Sequence, residues 1–138
     1  MSMIKGISRQ PVSADQRVIH SAERFGINFP LKLEPAIYGF AEQLSRDYQG
    51  GYWHFYTLGN GGFYMAPDDG PCFQVSSENG WEGKLSADAL GITACLYAYS
   101  HLSFAEGDFG ELCARHYHWL RALAMKHTEA GGILAAID

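Results

Sequence analysis

The sequence predicts an α+β fold: a four-stranded antiparallel β-meander packed with about five α-helices in a single compact domain. Three observations predict it. Two stretches with helical spacing come first and end at Gly50-Gly51. Four short aromatic or β-branched runs follow, joined only by turn residues. Further helical stretches fill the chain from Ser86 to Ile137. The 138 residues suit one domain, expected over 13–138, with 1–12 as a flexible lead-in. A chain of this size buries roughly two-thirds of its unfolded surface, enough for a core without staples.

The first helix is expected from about Ser13, a good N-cap, to Arg24, with Val18, Ile19 and Ala22 as its apolar positions. Gly26 and Pro30 break that pattern. Pro35 suits the first turn of a second helix, in which Ile37, Phe40, Ala41, Leu44 and Tyr48 recur at helical spacing. Strands are expected at Tyr52–Leu58, Phe63–Met65, Phe73–Ser76 and Trp81–Leu85. The turn Gly59-Asn60-Gly61-Gly62 joins the first two, since Asn and Gly tolerate the positive φ that tight turns require. Pro67 to Pro71 is a second turn, and Asn79-Gly80 is a strong hairpin signal. Ser86 caps the next helix, with Asp88 in its favourable first turn. Leu90, Ile92, Ala94, Leu96, Tyr97, Ala98 and Leu102 make that helix apolar nearly all round, so it is expected to cross the sheet as the central core element. Phe109, Leu112, Cys113, His116, Leu120 and Leu123 mark an amphipathic helix over about Asp108–Lys126, and Thr128 opens a last turn or two ending at Ile137.

Charge and cysteine usage exclude several classes. Fifteen acidic and ten basic residues give a net charge of −5, and Lys and Arg form no run of three. A duplex DNA binder needs a basic stripe, so no duplex binding is expected. No apolar run approaches the roughly 20 residues of a membrane span, and the N-terminus lacks the apolar core of a secretory signal. Cys72, Cys95 and Cys113 are odd in number and widely spaced, which suits a reducing cytoplasm rather than a disulfide framework.

The residues carry no recognisable chemistry. A phosphate loop follows a strand and opens a helix, whereas Gly59-Asn60-Gly61-Gly62 opens another strand and is read as a structural turn. Cys113 and His116 share a helical face, but two ligands do not make a metal site. Asp68 and Asp69 lack the rest of a calcium loop, and no nucleophile motif is present. No catalytic, metal or cofactor residues are therefore assigned, and the chain is expected not to be an enzyme. Alternation along the first strand puts Trp53, Phe55 and Thr57 on one face and Tyr52, His54, Tyr56 and Leu58 on the other. One set can pack beneath the core helix. The other is either covered by a further helix or left half-wet for a partner.

Three long blocks carry a resemblance: GGYWHFYTLGNGGFYMAP, ENGWEGKLSADALGITACLYAYSHLSF and the terminal EAGGILAAID. Together they resemble the ArdB/KlcA antirestriction family of plasmids and other mobile elements, over roughly residues 15–138. The chain departs from the family at Gly59, where serine is expected, and at Thr128, where proline is more usual. The resemblance implies a compact α/β domain around an antiparallel sheet. It also implies protection of incoming DNA from host type I restriction enzymes inside the cell, with no established catalytic residues. Mimicry of even two duplex turns would need on the order of twenty carboxylates on one face, against 15 in this whole chain. The expected partner is therefore the type I restriction-modification complex or an associated host protein, met directly or indirectly by a monomer. Candidate contact groups are Tyr52, His54, Tyr56 and the terminal Asp138. Core packing of the rings and a solvated terminus are the plainer readings of the same residues. A single-stranded nucleic-acid binder using the aromatic face, or an unrecognised enzyme, are the alternative functions.

Overall fold

The computed structural model describes residues 2–4 and 6–138, with side chains from Gly6 onward. Strand β1 (Ser2–Ile4) pairs antiparallel with β2 (Ile7–Val12), so the stretch expected as a flexible lead-in holds two strands. Sequence pattern hides β2 because Pro11 lies in it. Its missing N–H is tolerated there: β1 pairs only as far as Arg9, so no ladder bond is lost. A 3₁₀ turn (Ala14–Gln16) leads into α1 (Arg17–Phe25). Ser13, expected as the helix cap, instead turns its hydroxyl to the Asp15 carboxylate at 2.7 Å.

A π-helical segment (Phe29–Leu33) runs directly into α2 (Glu34–Leu44). Helix α2 stops short of Tyr48 because Ser45 leaves the helix in an extended conformation. There it donates its hydroxyl to the carbonyl of Gln74 at 2.7 Å.

The aromatic run forms a hairpin of β3 (Trp53–Leu58) and β4 (Phe63–Pro67), with Tyr56 opposite Tyr64. Next come β5 (Phe73–Ser76) and β6 (Glu82–Leu85), then α3 (Ala87–Leu102), α4 (Asp108–Ala124) and α5 (Ala130–Ile137). The α+β class, the single compact domain and the five helices agree with expectation. The four-stranded meander does not. The expected strands divide between two sheets: β3 and β4 complete a four-stranded sheet of order β1-β2-β3-β4, and β5 pairs only with β6.

Helix α3 explains the division, because it occupies the edge of β4 where β5 would have paired. The Tyr99 hydroxyl donates to the Phe63 carbonyl at 2.7 Å, and the Cys95 thiol reaches the Met65 carbonyl at 3.5 Å. Gly91 packs so closely on Ala66 and the Met65 carbonyl that a Cβ there would collide with both. The helix thus satisfies edge carbonyls that a fifth strand would otherwise claim.

As expected, Ser86 caps α3: its hydroxyl accepts from the Ala89 amide at 3.1 Å. Helix α3 is buried along most of its length and forms the centre of the core. Beside it, Phe25, Phe29, Phe55 and Phe63 meet mostly edge to face at 5.5–5.8 Å between centroids. That is the favoured geometry for aromatic rings. Glu129 rather than Thr128 is the cap position before α5, and its carboxylate reaches back to both the amide and the hydroxyl of Ser86.

Candidate functional site

The two faces of β3 are unequal. Trp53 and Phe55 are buried in the core, while His54 and Tyr56 on the opposite face are half-exposed. Tyr52, just before the strand, is 52% exposed. Of the two readings of the rings, the half-wet face is the one the fold adopts for Tyr52, His54 and Tyr56. Each has a partner within the chain. The Arg17 guanidinium lies 4.5 Å over the Tyr52 ring and donates to its hydroxyl at 2.7 Å. His54 Nε2 meets Asp68 Oδ1 at 2.6 Å, which holds the Asp68 carboxyl below its ordinary range. Tyr56 stacks on Tyr64 at 4.9 Å with Arg9 4.7 Å from its ring centre. Asp138, the fourth candidate, lies apart at the end of α5, with its carboxylate 3.4 Å from Arg121. The structure therefore groups three of the four candidates and leaves Asp138 outside.

Beneath Tyr56 lies a polar cluster that sequence reasoning missed. Asp88, at the start of α3, takes a hydrogen bond from Tyr64 at 2.7 Å and one from Arg9 at 3.1 Å on Oδ1. Its Oδ2 accepts from His127 at 2.8 Å. His127 Nδ1 accepts from the Glu129 amide at 2.9 Å, so the hydrogen-bond network assigns the ring proton to Nε2, facing Asp88. Burial opposes the Asp88 charge, but the bonds from His127 and Tyr64 and the Arg9 cation outweigh it and hold the carboxyl below its ordinary range. Burial, and then Asp88, push the Tyr64 phenol far above its ordinary range. One carboxylate thereby joins β2, β4, α3 and the α4–α5 turn. The signal available in sequence was slight: period-two spacing puts Tyr64 on the face of Tyr56, but nothing local links Arg9 or His127 to Asp88.

Both glycine-containing segments lie between paired strands, with positive φ at Gly61 and Gly80. Asn60 accepts from the Gly62 amide at 3.0 Å and donates to the Trp119 carbonyl at 2.9 Å, which docks the Gly59–Gly62 turn on α4. Asn79 accepts from the Trp81 amide at 3.0 Å and donates to the Ala135 carbonyl at 2.7 Å, docking the Asn79-Gly80 turn on α5.

Cys113 and His116, which share a helical face, are both buried. Burial raises the Cys113 thiol to about 11 and that of Cys95 to about 12. His116 sits among Phe25, Tyr99 and Trp119 at 4.6–5.3 Å, and its Nδ1 has no hydrogen-bond partner among the described residues. Burial, reinforced by Arg24 and Arg115, lowers its pKa to about 4. Among the described residues, no three His, Cys, Asp or Glu side chains converge to hold a metal ion. Nor is any helix there long and apolar enough to cross a membrane.

The fold is that of a known class. The family described as antirestriction protein matches residues 46–138. The antirestriction protein KlcA of Escherichia coli is 39% identical over 137 residues, covering 94% of this chain and 96% of its own length. The uncharacterized protein YafX of Escherichia coli K12 is 40% identical over 132 residues, covering 93% and 86%. A solved structure superposes with a TM-score of 0.90 at 36% identity, covering 100% of this chain and 99% of the other. It comes from work on KlcA and ArdB proteins, described as having a novel fold and antirestriction activity against type I DNA restriction systems in vivo but not in vitro. The chain belongs to the antirestriction protein family.

Proposed function

We propose that the chain protects the DNA of an incoming mobile element from type I restriction enzymes of its host. It does so as a cytoplasmic monomer, through protein contact rather than catalysis or duplex mimicry. The observation that carries this reading is the behaviour of the solved relatives, which are active in vivo but not in vitro. A direct inhibitor would act on the isolated enzyme. Activity confined to the cell argues for a further host component between the protein and restriction.

The contact face proposed is Tyr52, His54 and Tyr56, with Asp138 as a separate contact at the end of α5. Rings with polar tips that are exposed but already held in place lose little side-chain entropy on binding. Duplex mimicry is disfavoured because the carboxylates are dispersed and several are engaged internally: Asp88 by Arg9 and His127, Glu129 by Ser86, and Asp68 by His54. Base stacking is disfavoured because Arg17 and Arg9 already lie over Tyr52 and Tyr56, whereas single-strand platforms need free ring faces.

The test is plating of unmodified phage on cells with an active type I system that express the chain or its variants. Tyr52→Ala combined with His54→Ala is expected to abolish protection while leaving the thermal midpoint within a few degrees, because neither side chain is part of the buried core. Full protection by that variant would remove the face from the account.

A further inference from the structure

Helix α1 is fastened to the rest of the molecule at its two ends. Of its nine residues, Ser21 and Phe25 alone are buried. Ser21 bonds within the helix, to the Val18 carbonyl at 3.2 Å. Val18 and Ile19 face water, at 79% and 50% exposure, so they add little to the core. Among the described residues, every side-chain hydrogen bond from α1 to another element comes from Arg17 at its start, which donates to the Tyr52 hydroxyl and the Trp53 carbonyl. At its end Phe25 enters the core, where its nearest ring is that of His116, at 4.6 Å. The chain on either side is open to water: no residue of the Ala14–Gln16 turn is buried, and Gly26 and Ile27 are exposed. An element with few buried contacts, set between exposed linkers, opens at lower free energy than the core.

His116 is the latch at that second end. It is 2% exposed and enclosed by Phe25, Tyr99 and Trp119. A neutral imidazole can leave a lone pair on its unpartnered Nδ1. An imidazolium carries a proton on each nitrogen, and the one on Nδ1 would be a buried donor without an acceptor among the described residues. The groups around the ring give no relief. Arg24 bears on it from α1 and Arg115 from α4, and both are cations. Burial pushes the Tyr99 phenol of α3 and the Cys113 thiol of α4 up, so both stay neutral in acid. A charged His116 is therefore favoured only where water reaches it, and its closest covering ring belongs to the loosely held α1.

We propose that α1 is a strap that leaves the core while the other elements stay folded, and that protonation of His116 releases it. Release withdraws Phe25 from the imidazole and admits water to the charged ring. It also draws Arg17 off the Tyr52 and Phe55 rings, on which it now rests at 4.5 and 4.4 Å.

Amide hydrogen exchange on the full chain, followed from neutral to acid pH and corrected for the intrinsic rate, tests both halves. At neutral pH the amides of Ala22, Arg24, Phe25 and Gly26 are expected to be protected roughly a hundredfold less than those of Leu96, Ala98 and Tyr99 in α3. Below pH 6.5 their protection is expected to fall about tenfold per pH unit, down to about pH 4, because a freed His116 takes up a proton that the buried one refuses. His116→Phe is expected to remove that slope. His20→Gln, which replaces the imidazole that α1 itself carries beside Arg24, is expected to keep it. The ring resonances of His116 in the unaltered chain give a reading that needs no variant: they are expected to titrate together with the loss of α1 protection. Three results would each overturn the proposal: α1 protected as strongly as α3, a slope that survives His116→Phe or vanishes with His20→Gln, or a His116 ring that titrates while the α1 amides stay protected.

Discussion

Asp88 illustrates how one side chain can be read correctly in part and still be misjudged. Its place in the first turn of α3 suits the helix dipole, as its sequence position suggests. Its larger role is to hold Arg9, Tyr64 and His127 together. Asp88→Asn removes the charge that balances a partly buried guanidinium. It is expected to cost about 2–3 kcal/mol, the scale for hydrogen bonds to charged groups, measured by urea unfolding; a loss below about 0.5 kcal/mol would make the cluster incidental. His116 is also shifted downward, but by burial that favours its neutral form rather than by partners that favour a charge. Its folded pKa of about 4 lies below the ordinary 6.5. Between those values the unfolded chain binds more protons than the native one, so stability falls as pH drops through that window, by about 3 kcal/mol at most. The Asp88 carboxyl, shifted downward, adds stability that is lost only at still lower pH, through its folded value. His116→Phe is expected to flatten the stability profile between pH 6.5 and 4 and to leave stability at pH 7 equal or higher. An unchanged slope would show that another group carries the acid sensitivity.

The hairpin β3–β4 was legible because its turn chemistry is local. Gly61 adopts a φ of +103°, a conformation that strains any residue with a Cβ, and it sits against the Trp119 ring. Gly61→Val is therefore expected to lose about 1–2 kcal/mol or more in thermal or urea unfolding; unchanged stability would mean that the turn rebuilds itself. The edge of β4 was not legible. Phe73–Ser76 has all the marks of a next strand in a meander, and only the three-dimensional seat of α3 keeps it out. Tyr99→Phe tests that seat. It leaves the Phe63 carbonyl buried and unpaired, at an expected cost of about 1–3 kcal/mol, and a neutral effect would show that the edge finds another donor. Strand β2 escaped notice for a related reason. Its residues alternate weakly, and its register is fixed by distant β3, with Val12 opposite Phe55 and Pro11 opposite Tyr56.

At the level of the molecule, the pattern of helices, turns and buried apolar residues was written in the sequence, whereas the pairing of distant strands was not. The same division holds for the proposed face. Alternation separated Tyr52, His54 and Tyr56 from Trp53 and Phe55, and the structure keeps them apart. It could not supply Arg9 and Arg17, which come from elsewhere in the chain and lie over the Tyr56 and Tyr52 rings. The result is a surface of half-exposed aromatic groups with partners inside the chain, the contact face proposed above. The antirestriction proposed for such a surface requires something to recognise, and the cell-restricted activity of the solved relatives supports the proposal of a host component. The most direct measurement is cleavage of unmodified duplex by a purified type I enzyme, with purified chain added alone or with clarified host lysate. The account predicts no protection by the chain alone, protection when lysate is present, and loss of that protection with the Tyr52→Ala, His54→Ala variant. Protection by the purified chain alone, at stoichiometric or catalytic amounts, would contradict it.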